Sequence, residues 1–93
     1  MNFELVALST FTAVEGAHAF SAFMPSYFTI KTFAKDERAV ERLRSGYLPA
    51  TLFNLALGFA VSLVAKNVLP LIISILVIVF MIAAYEYAIR RRG

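Results

Sequence analysis

The sequence predicts an all-α membrane protein with three transmembrane helices, and three observations carry this prediction. Hydrophobic residues make up 60% of the 93-residue chain and charged residues only 16%, against roughly 45–50% and 25% in ordinary soluble domains. A soluble fold of this length has too little interior to bury so much apolar surface. The apolar residues also fall in three long stretches, each near the roughly 20 residues that a helix needs to cross a bilayer.

The predicted single three-helix domain, residues 1–93, has its spans at about residues 5–30, 47–65 and 67–89. The few residues before the first span include an acid and no base, so we expect this span to be retained rather than cleaved as a signal peptide. Pro25 removes a backbone hydrogen bond and therefore predicts a kink near that point of a long first helix. Asn67 is a candidate N-cap for the third helix, whose first turn tolerates Pro70.

The connection between the first two spans, residues 31–46, is predicted to be a cytoplasmic amphipathic helix that extends the first one. Its apolar residues Val40 and Leu43 share one face, and charged residues surround them. Gly46 is expected to end this helix as its C′ residue. The charged face is either simply solvated or a docking surface for a partner or for anionic lipid headgroups.

The distribution of basic residues predicts the orientation of the chain. Eight bases lie on the side of the first connection and the C-terminus: Lys31, Lys35, Arg38, Arg42, Arg44, Arg90, Arg91 and Arg92. The other side has only Lys66. Because basic loops stay in the cytoplasm, the N-terminus is expected outside and the C-terminus inside. Glu86 is expected to pair with Arg90, one helical turn further on.

Small residues four positions apart form a stripe on each of the first two predicted helices. The first stripe is Ser9, Ala13, Ala17 and Ser21, and the second is Ala50, Asn54, Gly58 and Ser62. Such stripes let helix backbones approach closely in lipid, so the two are predicted to pack against each other. Asn54 lies about midway through the second span and is expected to form an interhelical hydrogen bond.

Glu15 and His18 lie three residues apart, near the centre of the first span. Ionisable groups at that depth are costly unless they are paired, protonated or hydrated. Glu15 is expected to accept a hydrogen bond from the imidazole, but the other two helices offer few polar partners. This deficit indicates a neighbouring subunit, a water-filled path or a cofactor, and together with Asn54 the pair forms the predicted intramembrane polar site.

The Glu-x-x-His spacing occurs in di-iron helix bundles, where two such motifs and further carboxylates converge. One chain has a single copy, so no metal site is predicted. A lone membrane histidine can ligate haem, which leaves haem binding through His18 as an alternative. A buried Glu–His pair can also carry protons.

Three functions stay open. The first is a small accessory or structural subunit of a larger membrane complex, with a redox or ion-translocating complex as the preferred assembly and with other integral-membrane subunits and lipid as partners. The second is a self-assembling, holin-like or pore-forming protein, and the third is a haem- or metal-binding anchor. No catalytic motif is present, so the chain is not expected to be an enzyme by itself. The bases flank apolar spans, so neither nucleic acid nor a soluble substrate is predicted as a ligand.

Overall fold

A computed structural model describes residues 3–24 and 37–90 of the chain. Four helices make up nearly all of these residues: α1 (Phe3–Phe23), α2 (Glu37–Ser45), α3 (Tyr47–Ala65) and α4 (Leu69–Arg90). The described ranges contain no strand, which confirms the all-helical prediction. The predicted kink at Pro25 and the connection up to residue 36 lie outside the described residues.

Among the described residues, two helical stretches are long and apolar enough to cross a membrane, and they overlap the second and third predicted spans. One is Val40–Ala65, with 26 residues, and the other is Leu69–Arg90, with 22 residues. At 1.5 Å rise per residue, either one exceeds the roughly 30 Å of the hydrocarbon core. The described part of the first predicted span, which carries Glu15 and His18, is not one of the two.

Gly46 separates α2 from α3 without a sharp turn. The helix α2 ends at Ser45, directly before Gly46, as predicted. The Gly46 φ of −75° and ψ of −13° are right-handed helical values, so the residue does not adopt the left-handed conformation usual for a glycine at this position. The glycine is needed for space: a Cβ at this position would lie 2.8 Å from the Met24 side chain and 2.9 Å from the Phe23 carbonyl oxygen. Gly46 therefore lets the end of α1 approach the junction of α2 and α3.

A tight turn joins α3 to α4. Lys66 adopts the left-handed conformation, with φ of 56°, and its N–H donates to the Ser62 carbonyl. The Asn67 side-chain oxygen accepts from the Leu69 N–H at 2.9 Å, as predicted for an N-cap. The Ser62 hydroxyl accepts from the Leu71 N–H at 2.9 Å, so a side chain of α3 satisfies a backbone donor in the first turn of α4.

The three long helices form a bundle in which each contacts the other two, while α2 packs on α3. The apolar core lies toward the end that holds α2. Its buried members are Phe20, Met24, Val40, Leu43, Ala50, Ile78, Tyr85 and Ile89. Burial of Val40 and Leu43 agrees with the amphipathic pattern predicted for this segment.

A bidentate ion pair joins α2 to the last turns of α4. The Arg44 guanidinium donates to both carboxylate oxygens of Glu86, at 3.0 and 2.9 Å. Glu86 was expected to pair with Arg90, but its carboxylate accepts from Arg44, which lies 42 positions away in the chain. The pair also shows that the first connection and the C-terminal end of α4 lie at the same end of the bundle.

Candidate functional site

The three long helices meet at a buried polar contact formed by Gly16, Asn54 and Ser74. Asn54 and Ser74 have no exposed surface. The Asn54 amide donates to the Gly16 carbonyl of α1 at 3.3 Å and to the Ala50 carbonyl of its own helix at 2.9 Å. The Ser74 hydroxyl of α4 donates to the backbone carbonyl oxygen of Asn54. We call these three residues the polar hub.

Gly16 leaves the space that the Asn54 side chain occupies. A methyl group added at Gly16 would overlap the Asn54 side-chain oxygen. That oxygen is buried and accepts no hydrogen bond from the part of the chain that the structure describes. The oxygen lies where a side chain at position 16 would begin, so only glycine leaves room there for the Asn54 amide.

The small-residue stripe on α3 faces the bundle interior, but it contacts both neighbouring helices. Ala50, Asn54 and Gly58 are buried, and Ser62 is half-buried. A Cβ at Gly58 would lie 2.6 Å from the Ser74 Cβ, so Gly58 packs on α4. The predicted contact of this stripe with α1 is seen at Asn54, whose amide donates to the Gly16 carbonyl.

The buried stripe of α1 is rotated from the predicted one. Its buried residues are Ser9, Thr12, Gly16, Ala19 and Phe20. Of the predicted stripe, Ser9 is buried, Ala13 and Ala17 are half-buried, and Ser21 is exposed. The rotation follows from the polar hub, because the helix must present Gly16 to Asn54.

Gly16 and Ser74 are the site residues that sequence reasoning missed. Gly16 is the only glycine in α1, and a glycine inside an apolar helix costs about 1 kcal/mol of helix propensity against alanine. That cost is a signal for a close helix approach at this point. Ser74, the only polar side chain in the apolar stretch from Leu69 to Met81, carries a similar signal for α4.

Glu15 and His18 lie on the outer side of α1, away from the polar hub. Glu15 is half-buried and His18 is exposed. Among the described residues neither side chain forms a hydrogen bond or an ion pair, so the expected Glu15–His18 contact is not made. The structure therefore separates the predicted intramembrane set, with Asn54 inside the bundle and the ionisable pair on its surface.

Within residues 3–24 and 37–90, no three potential metal ligands come together in one chain. Glu15 and His18 could supply at most two ligands. A metal at this position would need further ligands from another copy or another protein. Comparison of the chain with protein-family models, with curated proteins and with solved structures finds no match.

Proposed function

We propose that this protein is a small three-span integral-membrane subunit of a larger membrane complex. Its N-terminus lies outside, its C-terminus lies in the cytoplasm, and it works through lateral contacts with other membrane-embedded chains. The observation that supports the proposal most strongly concerns Glu15 and His18. Both lie on the surface of a largely apolar bundle, and neither side chain has a hydrogen-bond or ion-pair partner among the described residues.

The exposed surface supports a membrane location. Large apolar side chains are exposed on all three long helices, for example Phe11 on α1, Phe59 on α3 and Phe80 on α4, the last with 70% of its surface exposed. Soluble monomers do not expose contiguous apolar surface on every side, because its hydration is costly. Lipid removes that cost. We include α1 as the third membrane-spanning helix because it packs along both α3 and α4.

The ionisable pair supports a role in a complex. A carboxylate or imidazole facing hydrocarbon costs several kcal/mol, and such groups in membrane proteins face protein or water. An outside partner would satisfy both groups. Because carboxylates and imidazoles exchange protons, a redox or ion-translocating complex is the assembly in which this pair would be most useful.

Native mass measurement of the protein purified in a mild detergent tests this proposal. We expect the chain to remain in the membrane pellet after carbonate extraction and to be purified together with other membrane proteins. Multiples of its own mass alone would contradict the complex and favour a self-assembling protein. Release from the pellet by carbonate would contradict the membrane location itself.

Cysteine labelling tests the orientation. The chain contains no cysteine, so a single introduced thiol is the only site of reaction. Labelling by a membrane-impermeant maleimide from outside is expected for Asn2→Cys and not for Ser45→Cys, because the basic connection that contains Ser45 remains in the cytoplasm. The opposite pattern would reverse the topology, and equal labelling of both variants in intact cells would exclude a three-span arrangement.

A further inference from the structure

We propose that a second copy of this chain covers Glu15 and His18, docking along α1 so that Glu15 of each copy contacts His18 of the other. The inference rests on the proposed function in one respect, since it takes α1 to lie in the bilayer. The inference adds the identity of one partner to the proposed function, because the complex would contain two copies of this subunit in contact with each other.

The first argument is the spacing of the residues on the outer side of α1. One unbroken row follows the alternating three- and four-residue steps of a coiled-coil seam: Leu8, Phe11, Glu15, His18 and Ala22. We call this row the α1 seam. Such spacing lets two parallel helices pack knobs into holes, with each seam residue lying between residues of neighbouring layers on the other helix.

The second argument is that the bundle leaves the α1 seam largely uncovered. Phe11 has 49% of its surface exposed, and His18 and Ala22 are also exposed, while Leu8 and Glu15 are half-buried. The bundle's own contact on α1 uses the neighbouring row through Thr12 and Gly16. A second helix can therefore dock on the seam without displacing α3 or α4.

The third argument is charge complementarity. Copies inserted in the same direction are related by a two-fold axis along the membrane normal, and a two-fold contact is reciprocal. Each copy offers one carboxylate and one imidazole, so the pair makes two equivalent Glu15–His18 contacts. The two residues differ by three positions, an axial offset of about 4.5 Å, which two side chains of this length can bridge.

Self-docking also satisfies both groups at once. A foreign helix that brings a single cation would pair with Glu15 but leave His18 facing lipid. Two copies bring two carboxylates and two imidazoles, and an N–H of each imidazole can donate to the carboxylate of the other copy. Removal of all four groups from hydrocarbon favours this arrangement over one that protects only half of them.

Complementation between two variants tests the proposal. Glu15→His leaves two imidazoles in each copy, and His18→Glu leaves two carboxylates, so each variant alone is expected to lose its dimer. Co-expression of the two variants with different tags should restore the dimer, because every imidazole again faces a carboxylate. The expected readout is at least a tenfold higher yield of co-purified mixed pairs than of like pairs.

Crosslinking in the otherwise unchanged chain keeps the test independent of whether these variants fold. Ala22→Cys places the only thiol on the α1 seam, and it should form a disulfide-linked dimer in membranes treated with a copper–phenanthroline oxidant. Ser21 lies beside the α1 seam on the same helix. The variant Ser21→Cys is therefore the matched control, and it is expected to stay monomeric. No dimer from Ala22→Cys, or equal amounts from both variants, would overturn the proposal.

The remaining outcomes separate this inference from the proposed function. Dimers of both single variants would overturn the reciprocal Glu15–His18 contact, and no recovery in the mixture would overturn pairing between copies through these residues. Either result leaves a foreign partner for the two groups in place. Loss of the unaltered dimer on addition of EDTA would overturn the direct contact in favour of a metal held by both Glu-x-x-His motifs. A crosslinked dimer without other subunits would uphold the pair and contradict the larger complex.

Discussion

Replacing Gly16 by alanine is expected to destabilise the bundle by about 1–3 kcal/mol, the usual cost of adding a methyl group to a packed interior. The added carbon would overlap the Asn54 side-chain oxygen. Asn54 has no exposed surface, and its amide is held by two carbonyl groups. Movement of the side chain away from the methyl group would lengthen or break these hydrogen bonds inside the bundle, and separation of α1 from α3 would break the bond to Gly16. Chemical unfolding in detergent, followed by circular dichroism, measures the change.

The same substitution in an Asn54→Ala background supplies the control. With the amide gone, the methyl group has space, and alanine should even raise helix propensity by about 1 kcal/mol over glycine. The two substitutions should therefore couple strongly in a double-mutant cycle. Additive effects, or an unchanged midpoint for Gly16→Ala alone, would show that the helices do not meet through this contact.

Replacing Gly58 by leucine is expected to have the second large effect and to separate α3 from α4. A Cβ at Gly58 would lie 2.6 Å from the Ser74 Cβ and 3.3 Å from the Leu71 Cα. One of these neighbours is backbone, which cannot move aside without shifting the whole of α4. The cost is expected at or above the upper end of the roughly 1–3 kcal/mol range for overpacking, since leucine adds four carbons.

Ala60→Leu is the matched control, because it adds nearly the same volume to an exposed position on the same helix. It should leave the unfolding midpoint almost unchanged. Equal tolerance of leucine at positions 58 and 60 would contradict the packing of α3 on α4. The expected separation of the two helices would also be contradicted if a pair of cysteines introduced at the α3–α4 contact still formed a crosslink in the Gly58→Leu variant.

Much of the helical layout could be predicted from the sequence because it depends on local composition. The second span, 47–65, is the range of α3, since apolar content and the neighbouring glycine and lysine determine where this helix begins and ends. Asn67 was predicted as an N-cap from its residue type, and capping depends only on nearby backbone donors. Burial of Asn54 followed from the cost of an amide in an apolar span.

The contacts between distant residues could not be predicted in this way. The partner of Glu86 was expected within its own helix, whereas the fold supplies Arg44 from α2. The rotation of α1 depends on the fit of one glycine to one asparagine, and a four-residue stripe of small residues does not encode that fit. The space that Gly46 leaves for the end of α1 is also a contact between distant residues, and the sequence predicted only that this glycine ends a helix.

The polar hub has a consequence for the order in which the bundle assembles. The Ser62 and Ser74 hydroxyls both join α3 to α4, over short distances along the chain. α1 contributes only a backbone carbonyl to the hub, and it must be brought in from 38 positions away. Contacts between near neighbours in sequence form fastest, so we expect the α3–α4 hairpin to fold first. α1 then joins a preformed groove and is the helix that can detach most easily without unfolding the rest.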